Sequence, residues 1–164
     1  MTDKTIRRKV EAMKRHKLTS KKVVSLEDFR KLKTAIDTRV ILVVDDDEVM
    51  RSALKRILEG EGYKVLMAED GLELSKVLET TRLDMVLLDV NLPWVDGFEL
   101  CKLIKTHYSL KTVPLILVSA RKAKEDVEKG FAVGADDYIT KPFDIDVMID
   151  VINKKFLKVE SSLS

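Results

Sequence analysis

Residues 40–48 have the sequence Val40-Ile-Leu-Val-Val-Asp45-Asp-Asp-Glu48, a run of apolar residues followed by four acidic ones. Its apolar run is too short for a helix of its own, and its β-branched side chains predict a buried strand. The acidic residues begin where that strand ends. Because open α/β sheets bind their ligands at the carboxyl ends of strands, this stretch predicts both a core strand and one edge of a site.

Downstream of this strand, short apolar runs alternate with amphipathic stretches. Further strands are predicted over residues 63–67, 84–88, 115–118 and 137–139. Helices are predicted over residues 49–58, 72–78, 97–107, 123–133 and 145–157. Strand–helix units in succession predict an α/β domain, with a doubly wound five-stranded parallel sheet, helices on both faces and right-handed crossovers.

Charge divides the chain into unequal parts. The whole sequence of 164 residues has a net charge of +2. Residues 1–39 hold 13 basic against 5 acidic residues, which leaves 17 against 23 for residues 40–164. We therefore predict a basic N-terminal extension over residues 1–39, an α/β domain over residues 40–157 and a short C-terminal tail over residues 158–164.

The basic extension contains neither glycine nor proline, which favours helices over a loose linker. One helix is predicted over residues 4–17, and a second begins at the capping-box pattern Ser25–Asp28. Apolar side chains recur at helical spacing in both, at Ile6, Val10, Met13, Leu26, Phe29, Leu32 and Ile36. The resulting helical hairpin has three open roles: a solvated charged surface, a dimerisation or docking element, or nucleic-acid binding. The single aromatic residue makes nucleic-acid binding the least favoured.

Composition excludes several classes of protein. Hydrophobic residues make up 45% of the chain, too many for a disordered protein. No apolar run approaches the roughly 18 residues of a membrane span, and the charged N-terminus lacks the apolar stretch of a signal peptide. The single cysteine, Cys101, excludes an internal disulfide and a cysteine-rich zinc site, and its helical position predicts a core thiol. His16 and His107 are predicted to be solvated. We expect a soluble, cytoplasmic protein without a membrane role.

Chemically active side chains follow the predicted strands at one edge of the sheet. Residues 45–48 follow the first strand, Asp89 the third and Ser119 the fourth, and Lys141 stands just past the fifth. Converging carboxylates repel one another unless a cation lies among them, and oxygen ligands of this kind suit Mg²⁺. A carboxylate surrounded by a metal ion, an ammonium and a hydroxyl suits transfer of a phosphoryl group to its oxygen.

Four segments carry a family resemblance. They are Leu42-Val-Val-Asp-Asp46, Asp89-Val-Asn-Leu-Pro-Trp-Val-Asp-Gly97, Pro114-Leu-Ile-Leu-Val-Ser-Ala120 and Gly134-Ala-Asp-Asp-Tyr-Ile-Thr-Lys-Pro-Phe143. In this order and spacing they resemble the receiver domain of two-component response regulators, like the single-domain chemotaxis regulator. The resemblance implies a flavodoxin-like (βα)5 fold. It also implies no enzymatic activity beyond Mg²⁺-dependent self-phosphorylation and autodephosphorylation.

The resemblance also implies a role for each site residue. Asp89 would accept a phosphoryl group from a histidine kinase or a phosphotransfer protein. Asp46 and Asp89 would bind Mg²⁺ directly, together with the backbone carbonyl of Asn91, while Asp45 would act through water. Lys141 would pair with the phosphoryl oxygens.

Two further residues are implied to respond to phosphorylation. Ser119 would move towards the phosphate, Tyr138 would turn inward after it, and the Lys141–Pro142 peptide bond would be cis. A downstream partner, or a second copy of the chain, would then bind the face formed by residues 123–133, 137–139 and 145–157, or the N-terminal hairpin. Asp47 and Trp94 are departures from the family pattern.

Two other functions stay open. A phosphatase of the haloacid-dehalogenase type would use Asp45 as nucleophile and Asp47 as acid/base, with Ser119, Lys122 and the pair Asp136-Asp137. It is disfavoured because it leaves Asp89, the loop that follows Asp89, and Lys141 without a role. The other alternative is a receiver fold that no longer signals by phosphate and serves only to bind proteins.

Overall fold

The computed structural model describes residues 8, 25–28, 30 and 38–163. The chain forms two compact units, Met1–Arg39 and Val40–Ser164. In the first unit, Ser25 Oγ donates to Asp28 Oδ2 at 2.7 Å and accepts the Asp28 N–H at 3.1 Å. The second of these bonds is the N-cap contact that the capping-box pattern predicts for a helix start, whereas the Asp28 carboxylate accepts from the Ser25 hydroxyl. The rest of the predicted hairpin, including His16, lies outside the described residues, so the extension and its boundary stay predictions.

The second unit is a sheet flanked by helices. Its strands are β1 Val40–Val44, β2 Lys64–Ala68, β3 Met85–Asp89, β4 Leu115–Ser119 and β5 Asp137–Thr140. Its helices are α1 Glu48–Gly60, α2 Gly71–Thr80, α3 Gly97–Thr106, α4 Lys124–Ala132 and α5 Ile145–Leu163. All neighbouring strands pair in parallel, in the order β2-β1-β3-β4-β5. The predicted doubly wound five-stranded fold is confirmed.

The last helix corrects the sequence analysis. We predicted that it ends at residue 157, before a tail, but α5 continues to Leu163. Residues 158–163 contain neither glycine nor proline, so nothing in them stops the helical hydrogen bonding. The Ser161 and Ser162 hydroxyls also donate to the carbonyls of Lys158 and Val159, both at 2.9 Å. The change to polar composition after Leu157 marks the end of the buried face of α5 and not the end of the helix.

Two apolar cores hold the helices against the sheet. On one face, Leu42 and Val44 of β1 pack with residues of α2 and α3, including Phe98. On the other face, Ile41 and Val43 pack with residues of α1 and α5. Because β1 is covered on both sides, its sequence is an unbroken apolar run. Burying one such side chain stabilises the fold by about 1.5–3 kcal/mol.

Cys101 belongs to the first of these cores. Its side chain is fully buried, and burial raises the pKa of its thiol to about 11. At neutral pH the thiol is protonated and out of reach of solvent, which excludes a nucleophilic role. Among the helices of the described residues, none has both the length and the apolar character that crossing a membrane requires.

Candidate functional site

Three carboxylates converge at the carboxyl edge of the sheet. Asp45 follows β1, Asp46 is the next residue, and Asp89 ends the neighbouring strand β3. One oxygen from each carboxylate lies within 4.8 Å of the other two. The side chains of Asp45 and Asp89 are buried, whereas Asp46 is exposed to solvent. The parallel topology therefore brings together the acids that the sequence placed at separate strand ends.

Lys141 reaches this cluster from the end of β5. Its Nζ lies 2.8 Å from Asp45 Oδ2 and 3.5 Å from Asp89 Oδ2. Its N–H donates to the carbonyl of Ser119 at 2.8 Å, and its peptide bond to Pro142 is cis. Burial by itself would lower the pKa of Lys141, but the hydrogen bond and charge of Asp45 and the charge of Asp89 outweigh it and raise the pKa. The ammonium is therefore charged at neutral pH.

The Asp89 carboxylate is poorly solvated. Burial raises the pKa of Asp89 above its ordinary value, although the Asn91 N–H, which donates to Oδ1 at 3.1 Å, and the charge of Lys141 lower it. The charge of Asp45 adds to the rise. A carboxylate that is crowded by other carboxylates and short of water gains from a cation beside it. A donor set made only of oxygens fits Mg²⁺.

A tight loop holds the backbone beneath Asp89. The Gly97 N–H donates to the Val90 carbonyl at 3.0 Å, and Asn91 forms an antiparallel bridge with Asp96. A Cβ on Gly97 would lie 2.4 Å from Val90 Cα and 2.5 Å from the Asp89 carbonyl oxygen. Only glycine allows this approach, which explains the Asp96-Gly97 pair at the start of α3.

Ser119 and Tyr138 both contact the loop between β4 and α4. Ser119 is fully buried, and its Oγ accepts the Arg121 N–H at 3.1 Å. The Tyr138 hydroxyl donates to the Arg121 carbonyl at 2.6 Å, and burial raises the pKa of this hydroxyl. The resemblance linked both residues to phosphorylation. Both bind the backbone of Arg121, Ser119 at its N–H and Tyr138 at its carbonyl.

Asp47 and Asn91 have separate surroundings. The exposed Asp47 carboxylate caps α1 by accepting the N–H groups of Val49 at 2.9 Å and Met50 at 3.2 Å. It is therefore a structural N-cap, outside the cluster of Asp45, Asp46 and Asp89. Asn91 lies beside Asp89, and its Oδ1 accepts the Arg121 Nε–H at 2.8 Å.

The phosphatase alternative fails on geometry. Asp136 Oδ2 accepts the N–H of Leu115, the first residue of β4, and pairs with Lys105, both at 2.8 Å. Asp137 is the first residue of β5. This pair lies at the amino ends of the strands, at the opposite edge of the sheet from Asp45. The phosphatase mechanism needs these acids in one site, but the length of the strands separates Asp136 and Asp137 from Asp45.

Three residues that the sequence analysis did not assign to the site lie close to it. Arg51 is 8% exposed and contacts the backbone of Asp45, and Arg121 contacts Asn91. Trp94, noted only as a departure, donates from Nε1 to the Glu69 carbonyl at 2.9 Å. A signal for Arg51 was present in the sequence, because it occupies the helical face of the buried Leu54 and Leu58.

An open groove of about 560 Å³ lies beside the acidic cluster. Asp46 and Asn91 line one part of it, and Trp94, Asp96 and Arg121 line others. The exposed carboxylate of Asp46 is therefore accessible to a small ion or to an incoming phosphoryl group.

Comparison with known proteins agrees with this geometry. Residues 41–153, well over half of the chain, match the family described as the response regulator receiver domain. The chain belongs to the response regulator receiver domain family. Receiver domains of two-component systems accept a phosphoryl group on an aspartate from a histidine kinase.

Individual relatives show the same likeness. The chain is 43% identical over 113 residues to the transcriptional regulatory protein CseB of Streptomyces coelicolor, covering 69% of this chain and 47% of CseB. It is 43% identical over 103 residues to the alkaline phosphatase synthesis transcriptional regulatory protein PhoP of Bacillus subtilis, covering 63% of this chain and 42% of PhoP. The chain thus spans about half the length of the curated relatives it matches.

Among solved structures, a CheY-like response regulator receiver domain protein from Methanospirillum hungatei superimposes with a TM-score of 0.70. It is 31% identical to this chain, and the match covers 77% of this chain and 99% of that one. A complete receiver domain is therefore the part that the two share.

Proposed function

We propose that this receiver domain accepts a phosphoryl group on Asp89, in a Mg²⁺-dependent reaction, from the phosphohistidine of a histidine kinase or a phosphotransfer protein. The observation that supports this is the convergence of Asp45, Asp46 and Lys141 on Asp89. The domain is thus a phosphoacceptor whose only chemistry of its own is self-phosphorylation from small donors and autodephosphorylation.

Four residues are proposed to hold the metal ion. Asp46 and Asp89 would bind it directly together with the backbone carbonyl of Asn91, and Asp45 would bind it through water. The carboxylate oxygens within 4.8 Å of one another support this assignment. Bound there, Mg²⁺ supplies positive charge that neutralises the phosphoryl oxygens during transfer.

The transfer itself needs few residues. An Asp89 carboxylate oxygen attacks phosphorus, the new O–P bond forms as the N–P bond of the donor breaks, and the electron pair of that bond returns to the imidazole nitrogen. Lys141, whose Nζ already lies 3.5 Å from Asp89 Oδ2, pairs with a phosphoryl oxygen. The loop that Gly97 permits keeps the Asp89 backbone fixed during the reaction.

The proposed signal passes through the loop between β4 and α4. The Ser119 hydroxyl turns to donate to a phosphoryl oxygen, so its present contact with the Arg121 N–H changes. The Tyr138 ring already packs against the core with its hydroxyl on the Arg121 carbonyl, and it follows the movement of this loop. The face formed by α4, β5 and α5, or the N-terminal extension, then binds a downstream partner or a second copy of the chain in the cytoplasm.

Intact mass after incubation with Mg²⁺ and acetyl phosphate tests this proposal. The wild type gains one phosphoryl group only with Mg²⁺, and Asp89→Asn gains none. Asp47→Asn is the matched control, since it removes a neighbouring acid outside the cluster and keeps a good N-cap residue; it is phosphorylated like the wild type. An increment retained in Asp89→Asn contradicts the assignment of Asp89. No increment in any protein favours a receiver fold that only binds proteins.

A further inference from the structure

Arg51 is a buried charged residue with a specific set of partners. Only 8% of it is exposed, although it lies in α1 beside apolar residues. Its Nη1 donates to the Asp45 carbonyl at 2.6 Å, and its Nη2 donates to Glu69 Oε2 at 2.8 Å. Burying a guanidinium is costly unless its hydrogen bonds are made, so these contacts explain how Arg51 is tolerated at this position.

The Asp45 carbonyl is part of the peptide bond between two acids of the cluster. That peptide unit is planar and includes the Cα atoms of Asp45 and Asp46, so holding its carbonyl restrains the positions from which both side chains leave the backbone. The Asp45 side chain is oriented separately, by Lys141 Nζ at 2.8 Å and the Asp47 N–H at 2.9 Å. Arg51 is the partner that holds the backbone from which Asp46 projects.

Glu69 orients Arg51 and is itself held in place. Its N–H donates to Glu73 Oε2 at 2.9 Å, and its carbonyl accepts Trp94 Nε1–H at 2.9 Å. Trp94 belongs to the loop that follows Asp89, and its ring lies against Gly71. Through Arg51, Glu69 and Trp94, the backbone at Asp45 is connected to the loop beneath the third acid of the cluster.

We propose that Arg51, oriented by Glu69, is a positioning residue that holds the acids of the cluster in the arrangement that binds Mg²⁺. This inference rests on the proposed function, since it needs a metal site at Asp45, Asp46 and Asp89. Arg51 touches neither the ion nor a phosphoryl group and acts only through the backbone. Outer partners of this kind typically change metal affinity by about 10- to 100-fold when they are removed.

Because Arg51 is positively charged, a positioning role and a purely electrostatic role predict opposite effects of its removal on Mg²⁺ binding. Removing a positive charge near a cation site strengthens cation binding if charge alone acts. The positioning role predicts the opposite, namely that Arg51→Met weakens Mg²⁺ binding by about 10-fold. Arg51→Lys keeps the charge but lacks the planar fork that serves two acceptors, so it also binds Mg²⁺ more weakly than the wild type. Arg56→Met, an exposed arginine of the same helix, is the matched control and leaves affinity unchanged.

Glu69→Gln tests the positioning role of Arg51 by changing the side chain that orients it. It is expected to weaken Mg²⁺ binding, and the double variant with Arg51→Met binds no more weakly than Arg51→Met alone, because Glu69 acts through Arg51. Glu48→Gln removes an equal charge from the exposed first turn of α1, outside the chain of contacts that orients Arg51, so it corrects for charge. Because Glu69 is exposed, its substitution leaves the fold intact even if Arg51→Met proves unstable.

The measurement is a Mg²⁺ titration of the full chain with MgCl₂, followed by the fluorescence of Trp94, the single tryptophan. Far-UV circular dichroism on the same samples checks the fold. Wild-type affinity in Arg51→Met, Arg51→Lys and Glu69→Gln overturns the positioning role while leaving the proposed function intact. A wild type that binds no Mg²⁺ overturns the proposed function instead.

Discussion

The ring of Tyr138 lies directly against Gly130 of α4, where an added Cβ would come within 2.8 Å of the ring. Gly130 is buried in the last turn of α4, and inside a helix glycine is otherwise unfavourable by roughly 0.5–1 kcal/mol relative to alanine. The close packing of the aromatic ring accounts for its presence. The same packing leaves little free space around Tyr138, the proposed switch residue.

Gly130→Ala is therefore expected to displace the Tyr138 ring and to lower the free energy of unfolding by about 1–2 kcal/mol, since overpacking outweighs the better helix propensity of alanine. Urea denaturation measures this change. Gly60→Ala is the control, because nothing lies within 4 Å of a Cβ added there. Equal stability of the two variants would contradict the close packing of Tyr138.

Gly97→Ala is expected to be more damaging. A Cβ at this position meets backbone atoms of Val90 and Asp89, which cannot turn aside as a side chain does. We expect a loss of about 3 kcal/mol in unfolding free energy, at the upper end for overpacking, and a reduced yield of phosphorylated protein. Urea denaturation and intact mass measure the two effects, and wild-type values for both would show that the loop has room for a side chain.

Asp89→Asn is expected to stabilise the protein at neutral pH in the absence of Mg²⁺. Burial raises the pKa of Asp89, so its ionised form destabilises the folded state relative to the unfolded state above that pKa. The advantage of the variant shrinks as the pH falls towards the ordinary aspartate value of about 4, where the folded wild type is protonated. Urea midpoints at several pH values measure this, and Asp47→Asn is the exposed control. A variant less stable than the wild type at pH 7 would contradict it.

Lys141→Met is expected to lower the free energy of unfolding at pH 7 by about 3 kcal/mol, because it leaves the buried Asp45 and Asp89 carboxylates without a cation. The raised pKa of Lys141 sets the sign of the pH dependence. Its contribution is complete below the ordinary lysine value of about 10.4 and is lost as the pH rises through the raised pKa.

The control for Lys141 is Lys154→Met, which breaks an exposed pair with Asp150 at 2.8 Å on α5. Such exposed pairs contribute little because water and salt screen them, so this variant is expected to unfold close to the wild type. Urea denaturation of both variants from pH 7 to pH 11 makes the comparison. A loss for Lys141→Met no larger than for Lys154→Met would show that the contact with Asp45 adds no stability.

The sequence best predicted those site residues whose positions follow from the topology of the sheet alone. Once the alternating pattern predicted a parallel sheet, Asp45, Asp89 and Ser119 had to meet at one edge, because each directly follows a buried strand. The strand bounds were equally predictable, since period-two and unbroken apolar runs are local signals.

Other features depend on where loops lie in space. The bond from Trp94 to the Glu69 carbonyl joins residues 25 positions apart, and no local pattern encodes it. Arg51 left a local signal, a charge on an apolar helix face, but its partners follow only from the fold. The extra turns of α5 were missed because they lie beyond Phe156, the last buried residue of the helix.

Trapping the acyl phosphate shows whether Asp89 itself carries the phosphoryl group. The wild type is phosphorylated with acetyl phosphate and Mg²⁺ and treated with hydroxylamine, which converts an aspartyl phosphate to a hydroxamate. Peptide mass spectrometry then locates the modified residue. We expect one hydroxamate, on Asp89, that is absent when Mg²⁺ is withheld. A hydroxamate on Asp45 or Asp46, or none on a protein whose mass had shown phosphorylation, would contradict it.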